Sequence, residues 1–186
     1  MRGWRHRLSR LQAMAWLALG HGHRALPHFD EMLRRDPDAT DVRAGRAHLR
    51  AQLGHDVPAL ADYEVLLRQV PDDASAWFNM GFVLDRLGRW DEALAAFRRA
   101  TDLNPQLDRA WYGQGLVLIR LRRLDEAIAV LQRNTELQPL SPHGWYQLAR
   151  IHAEQQQPAE ALKIIRRLQA FEPRVAAQLQ RETGLA

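Results

Sequence analysis

The fold is decided by the stretch AWFNMG at residues 76–81, followed by WDEA at residues 90–93 and by Asn104-Pro105. A related stretch begins at Trp111 and ends at Pro139, one period of 34 residues later. Prolines keep that spacing along the chain, at Pro37, Pro71, Pro105, Pro139 and Pro173. Because a fixed period of 20 to 50 residues is typical of repeat architectures, the sequence predicts a tandem array rather than a single irregular core.

Repeats that start at residues 6, 40, 74, 108 and 142 share a packing pattern. Position 20 is alanine in all five repeats, and position 8 is always alanine or glycine. Position 24 is always large and apolar, and position 4 is tryptophan in the last three repeats. Since helices approach closely only where side chains are small, this pattern predicts two helices, A and B, packed together in each repeat. One such hairpin cannot bury its apolar face alone and needs neighbours.

These motifs resemble the tetratricopeptide repeat family over residues 6–175. The resemblance implies an all-α fold, a right-handed superhelical α-solenoid of five helix-turn-helix repeats with a C-terminal capping helix. The predicted segments are an extension at 1–5, repeats at 6–39, 40–73, 74–107, 108–141 and 142–175, and the capping helix at 176–186. The first two repeats depart from the pattern, since Ser9 and Arg43 replace the aromatic residue at position 4 and Arg50 occupies position 11.

Several local features refine this prediction. The repeated proline ends helix B, because proline lacks an amide hydrogen and disfavours helix at the residue before it. Pro27 lies inside the predicted helix B of repeat one and is expected to shorten or kink it. Ser141 is predicted to cap the helix that opens at Pro142, with Leu140 stapled onto Trp145.

Composition excludes several classes of protein. The 186 residues contain no cysteine, which rules out disulfide frameworks, thiol nucleophiles, zinc ribbons and iron–sulfur clusters. The formal charge is only +4, and no repeat carries a net charge beyond two in either direction, so no nucleic-acid-binding stripe is predicted. Neither a cofactor, a metal site nor a catalytic residue is predicted: His21, His23 and His28 are interpreted as solvated histidines, and Asp91-Glu92 and Asp125-Glu126 as acidic helix starts.

The N-terminus allows two interpretations. Arginines precede an apolar run from Leu11 to Leu19, as in a signal peptide, which would place the protein in the periplasm if residues 1–20 were cleaved. Alternatively, Ala13, Trp16 and Gly20 occupy frame positions 8, 11 and 15, which favours a retained first helix in a cytoplasmic protein. The run is too short for a transmembrane segment, which needs about 20 residues. The preference for arginine over lysine suggests a bacterial, GC-rich genome.

The resemblance places a partner-binding groove on the helix A face that carries positions 2, 5, 6, 9, 12 and 13. An apolar strip flanked by arginines is predicted there, and such strips usually mark binding sites. The candidate site residues are Phe78, Asn79, Phe82, Arg86, Arg109, Tyr112, Leu116, Ile119, Arg120, Tyr146 and Arg150. Alternatively, the C-terminal tail or a second copy of the chain covers the strip.

The sequence thus predicts a non-enzymatic protein-interaction module or scaffold that binds an apolar, partly acidic peptide segment of a protein partner. The alternatives are a regulatory or targeting subunit of an enzyme or assembly machine, and a self-assembling homo-oligomer. One local feature is unusual: Arg43, Arg46 and Arg50 lie on the packing side of helix A in repeat two. Either they pair internally with Asp62, Glu64 or acids of a neighbouring repeat, or they form a second, polar interface.

Overall fold

A computed structural model describes the backbone of residues 2–185 and the side chains of residues 8–185. Over residues 2–185 the chain forms eleven α-helices and no β-strand. The helices are α1 (Arg2–Ala18), α2 (Gly22–Arg35), α3 (Thr40–Gln52), α4 (Asp56–Gln69), α5 (Ala74–Arg86), α6 (Trp90–Leu103), α7 (Asp108–Arg120), α8 (Leu124–Leu137), α9 (Pro142–Glu154), α10 (Pro158–Gln169) and α11 (Pro173–Thr183). The predicted all-α repeat fold is confirmed.

The helices divide into two compact units, Met1–Leu103 and Asn104–Ala186. The first unit contains α1 to α6, in which each helix packs against the next one along the chain and α3 also touches α5. The second unit contains α7 to α11, in which consecutive helices pack together and α9 also touches α11. Each unit is therefore built from the same hairpins, and contacts between helices close in sequence hold it together.

The small residues of the repeat are buried at the contact between the two helices of each hairpin. All five alanines at position 20 have no measurable exposure. A methyl group built on Gly115 would lie 2.5 Å from Cδ2 of Leu131, and one built on Gly81 would lie 2.8 Å from Cδ1 of Phe97. Leu131 and Phe97 both occupy position 24, so the glycines at position 8 make room for the large side chain of helix B.

The turn between helices A and B has one backbone form in all five hairpins. Position 15 is left-handed, with φ between 58° and 77°, at Gly20, Gly54, Gly88, Arg122 and Gln156. The amide of the next residue then bonds a carbonyl five residues back, as from Arg89 to Leu84 at 2.9 Å. This bond satisfies a carbonyl that the end of helix A would otherwise leave open, and it gives each helix B the same starting point.

The repeated spacing between proline and tryptophan also has a structural explanation. The indole Nε1 of Trp77 donates a hydrogen bond to the carbonyl of Pro71 at 2.8 Å, and the same bond joins Trp145 to Pro139 at 3.1 Å. In repeat two, Arg43 replaces the tryptophan, and its guanidinium donates to the carbonyl of Pro37. The departure at position 4 therefore preserves the bond to the carbonyl of the preceding proline.

The predictions for Pro27 and for the start of α9 need correction. Helix α2 runs through Pro27 over 14 residues, so the predicted shortening is wrong; proline removes one bond, and burial of Ala25, Met32 and Leu33 holds the helix. Helix α9 begins at Pro142 as predicted, but the Ser141 side chain makes no capping hydrogen bond, and Leu140 is 73% exposed and forms no staple.

The C-terminal helix is predicted for residues 176–186, whereas α11 spans Pro173–Thr183. Proline is favoured in the first turn of a helix, because the amide that it lacks has no partner within the helix. Pro173 therefore opens α11, and α10 already ends at Gln169. Ala176 and Leu179 bury the inner face of α11 in the core cluster that also contains Ala149 of α9.

Candidate functional site

In the first unit, the candidate residues Phe78, Asn79, Phe82 and Arg86 lie on α5. Phe78 is partly buried because its ring packs against Phe97 of α6, with 5.9 Å between the ring centres. Phe82 is 48% exposed and is the open apolar side chain of this group. The sequence pattern thus assigns both phenylalanines to one surface, whereas the structure uses Phe78 partly for packing within its hairpin.

Arg86 connects α5 to the repeat before it. Its Nη2 donates to the backbone carbonyl of Ala51 at 2.7 Å and to the carboxylate of Asp56, and its guanidinium lies 5.0 Å from the centre of the Phe82 ring. The side chain is about one third exposed. Arg86 therefore uses its Nη2 group to hold two neighbouring hairpins together.

In the second unit, Arg109, Tyr112, Leu116, Ile119 and Arg120 lie on α7. Both arginines are exposed, whereas Tyr112, Leu116 and Ile119 are partly buried. The Tyr112 ring lies 6.0 Å from that of His143 at the start of α9. The predicted strip is therefore less exposed than the sequence pattern implies, because side chains on helix A also contact the neighbouring helices.

Tyr146 and Arg150, the candidate residues on α9, lie beside a carboxylate of the chain itself. The Tyr146 hydroxyl donates to Oε2 of Glu182 on α11 at 2.6 Å, and Gln178 donates to Oε1 at 2.8 Å. The Arg150 guanidinium lies 5.7 Å from the centre of the Tyr146 ring. The hydrogen bonds from Tyr146 and Gln178, with the charge of Arg150, hold the pKa of Glu182 below its ordinary value. This part of the surface thus favours an ionised carboxylate.

The unusual arginines of repeat two surround a buried carboxylate. Asp62 of α4 is 3% exposed and accepts bonds from Nε and Nη2 of Arg46 at 2.9 and 2.6 Å and from Nη1 of Arg50 at 2.7 Å. Asp30 of α2 accepts from Nη1 of Arg46 at 2.7 Å and from Nη2 of Arg50 at 3.3 Å. Nη1 of Arg43 lies 3.9 Å from Asp62. The internal-pairing interpretation is therefore correct.

The electrostatics of this cluster follow from its burial. Burial alone lowers the pKa of Arg46, but the hydrogen bonds to Asp62 and Asp30 outweigh that effect and raise the pKa above its ordinary value. Burial, together with the charge of Asp62, raises the pKa of the Tyr63 hydroxyl. The sequence indicated Asp62 and an acid from a neighbouring repeat, but no signal in it singled out Asp30, 16 residues before Arg46.

The remaining polar candidates occupy ordinary structural positions. The rings of His21 and His23 lie 6.0 Å apart, and among the residues that the structure describes no three histidine, aspartate or glutamate side chains are grouped closely enough to hold a metal ion. Asp91 and Glu92 are exposed in the first turn of α6, where Glu92 accepts two bonds from Arg89. Negative charge in a first turn is favourable because it faces the positive end of the helix dipole.

The family model of the tetratricopeptide repeat matches residues 10–74, 58–108, 79–142 and 112–176. A comparison with curated protein sequences finds no significant match.

Solved structures with the same fold cover nearly the whole chain. MamA from Desulfovibrio magneticus RS-1, from residue 41 to its end, has a TM-score of 0.85 at 20% identity over 98% of both chains. YrrB, described as a TPR protein with an unusual peptide-binding site, has a TM-score of 0.79 at 23% identity, over 91% of this chain and 88% of its own. A tetratricopeptide repeat protein from Parabacteroides merdae has a TM-score of 0.86 at 18% identity, over 98% and 75%. At these identities the likeness concerns the fold.

Proposed function

Since the chain belongs to the tetratricopeptide repeat family, whose fold is a protein-interaction scaffold, we propose that it binds a partner protein through a segment that carries both apolar and acidic residues. The proposed binding residues lie on helix A of the last three repeats, on α5 in the first unit and on α7 and α9 in the second. The description of YrrB as a repeat protein with a peptide-binding site supports this proposal.

The observation that carries the proposal is the binding of Glu182 by Tyr146. A hydroxyl donor at 2.6 Å and a nearby arginine already hold one carboxylate on this surface. Hydrogen bonds to a charged group are stronger than those between neutral groups, so an acidic side chain of a partner would gain from the same donors. Glu182 then acts as an internal competitor that a partner has to displace.

In the second unit, the apolar part of the partner would contact the partly buried Tyr112, Leu116 and Ile119. In the first unit, the exposed Phe82 offers an apolar contact of its own. Tyrosine and phenylalanine give a large contact area with few rotatable bonds, which is why aromatic residues dominate the energetics of interfaces. Arg86 is given a smaller role than Arg150, because its Nη2 already donates to the carbonyl of Ala51 and the carboxylate of Asp56.

The test starts from a phage-displayed library of random peptides selected on the full-length protein. Synthetic peptides made from the enriched sequences are then titrated by isothermal calorimetry. We expect enrichment of peptides that combine aromatic or aliphatic residues with aspartate or glutamate. Tyr112→Ala and Arg150→Glu should each weaken binding by about tenfold, since aromatic and arginine anchors each contribute more than 1 kcal/mol.

Matched variants separate the binding surface from general effects of charge and truncation. Arg174→Glu makes the same charge change at an exposed position on α11, and Leu140→Ala truncates an exposed apolar side chain between α8 and α9. Both should bind the selected peptides as the wild type does, and circular dichroism should show all four variants folded. Enriched peptides without acidic residues, or equal affinities for all variants, would contradict the proposal.

A further inference from the structure

The positive charge of the chain is concentrated near its start. Residues 1–29 contain five arginines, Arg2, Arg5, Arg7, Arg10 and Arg24, and no acidic residue. The rest of the chain contains 21 basic and 22 acidic residues, so its net charge is −1. The overall charge of +4 is therefore the sum of a strongly basic first hairpin and a nearly neutral remainder.

Helix α1 has two different faces. One face packs on α2 and buries Ser9 and Ala13, with Trp16 partly buried. At about 100° per residue, Leu11, Met14, Ala15 and Ala18 fall within roughly 100° of arc on the other side. All four are exposed, Leu11 to 66% and Met14 to 61%. We call these four residues the outer face of α1.

All four side chains of this outer face are apolar. All four residues stay exposed, although Met14 also borders a pocket lined by Phe29, Met32 and Val42, and exposed apolar patches usually mark a contact site. Leu8, Leu17 and Leu19 extend the apolar surface at its margins, with exposures of 43%, 41% and 66%. Arg10 lies beside it with 62% of its side chain exposed and only a loose pair, at 3.8 Å, with Asp41.

We propose that the outer face of α1 docks on an anionic lipid surface, with Leu11 and Met14 inserted below the headgroups and the excess positive charge of residues 1–29 attracted to lipid phosphates and carboxylates. A basic amphipathic helix binds membranes by this combination of apolar insertion and charge attraction. No helix within residues 2–185 is long and apolar enough to cross a bilayer.

Charge complementarity favours a lipid surface over a second copy of the chain. If two copies joined through α1, a symmetric interface would bring the excess positive charge of both first hairpins together, and Asp41, which pairs loosely with Arg10 at 3.8 Å, would offset only part of it. An anionic bilayer provides many negative groups and an apolar interior within the same few ångströms. A protein occupant would need both an acidic rim and an apolar centre.

Vesicle co-sedimentation of the full-length protein tests the proposal. Vesicles of phosphatidylcholine with roughly 30% phosphatidylserine should bind the protein about tenfold more strongly than pure phosphatidylcholine vesicles, and salt at about 0.5 M should remove most of this difference. Leu11→Glu combined with Met14→Glu should reduce binding by at least about tenfold, because two charges replace the inserted side chains. Arg10→Gln should reduce it about fivefold through the loss of one positive charge.

The matched control places the same two charges elsewhere. Val57→Glu combined with Leu140→Glu changes two apolar residues that are 68% and 73% exposed outside α1. This variant should bind phosphatidylserine vesicles within about twofold of the wild type, apart from the general effect of its added negative charge. Circular dichroism should show that both double variants are folded.

Three results would overturn the proposal. The first is a folded wild type that does not sediment with phosphatidylserine vesicles. The second is equal loss of binding in the two double variants, which would mean that net charge and not the outer face of α1 determines it. The third is a wild-type dimer in light scattering that Leu11→Glu with Met14→Glu dissociates, without vesicle binding by either protein, which would make a second copy the occupant.

Discussion

Replacing Asp62 by alanine is expected to lower the free energy of unfolding by about 3 to 5 kcal/mol, because it leaves buried arginines without their main acceptor. Asp62 accepts three bonds between 2.6 and 2.9 Å from Arg46 and Arg50. The two arginine side chains are only 14% and 20% exposed, so water replaces the lost carboxylate poorly.

Asp30 cannot take over this role alone. It is 44% exposed in its side chain and reaches Arg46 at 2.7 Å and Arg50 at 3.3 Å, so it faces the outer side of the same guanidinium groups. Asp30→Ala should therefore cost less, about 1 to 2 kcal/mol, because a partly exposed partner leaves a site that water can enter. The order of the two costs follows directly from the burial of the two carboxylates.

Urea unfolding followed by circular dichroism at 222 nm measures the effect, with the transition midpoint compared at an unchanged slope. Glu64→Ala is the matched control: it removes an exposed acid from the same helix and should change the stability by less than about 0.5 kcal/mol. If Asp62→Ala costs no more than Glu64→Ala, the assignment of Asp62 as the centre of the cluster is wrong.

A second experiment tests whether unpaired buried charge causes the loss of stability in Asp62→Ala. Replacing Asp62, Arg46 and Arg50 together by leucine and methionine should recover most of the stability lost in Asp62→Ala. A buried ion pair is often no more stabilising than apolar side chains of similar volume, whereas an unpaired buried charge is always costly. If the triple variant is as unstable as the single variant, the cost comes from lost packing and not from unpaired charge.

Three further predictions concern single positions. Gly115→Ala should destabilise the protein by about 1 to 2 kcal/mol in thermal unfolding, since the new methyl group would meet Leu131 at 2.5 Å and this overpacking exceeds the gain in helix propensity. Glu182→Gln should lower the pKa of Tyr146 towards its ordinary value of 10.0, measured by absorbance titration of the phenol, because the bond to Glu182 raises that pKa. Arg86→Ala should cost about 1 kcal/mol of stability and leave the affinity for selected peptides within about twofold.

Each of these predictions has a contradicting result. An unchanged or raised unfolding temperature for Gly115→Ala would mean that Leu131 moves aside freely. For Tyr146, the bond favours the neutral phenol, so its stabilising effect is present below pH 10.0 and is lost as the pH rises through the raised pKa. The same alkaline midpoint with and without Glu182 would exclude that bond. Loss of peptide binding in Arg86→Ala with unchanged stability would return Arg86 to the binding surface.

The fold could be predicted because its determinants are local and periodic. The alanine at position 20, the small residue at position 8 and the proline every 34 residues act within one hairpin or between adjacent ones, so their spacing in the sequence reflects their contacts. The prediction that Pro27 shortens α2 was wrong. A proline in the sequence indicates the loss of one backbone hydrogen bond, but the sequence does not show the burial of Met32 and Leu33 that offsets this loss.

The candidate site was predicted less completely, because exposure depends on the neighbouring helices. Phe78 and Phe82 are four residues apart and lie on the same side of α5, but Phe78 packs against Phe97 whereas Phe82 is 48% exposed. Arg86 looks like a free groove arginine in the sequence, yet it bonds Ala51, 35 residues earlier in the chain. Contacts that cross between repeats through long side chains leave no periodic signal.

The arginines by which repeat two departs from the repeat pattern take part in one ion-pair cluster. Arg43 replaces a tryptophan and keeps its bond to the preceding proline, but it also brings a charge near Asp62. Arg46 and Arg50 then share Asp62 and Asp30 in a cluster whose members are each costly alone and acceptable together. A residue that breaks a repeat pattern is therefore explained by the other residues that break it nearby, and the charged side chains on the packing side of α3 are best interpreted as one structural unit rather than as a binding site.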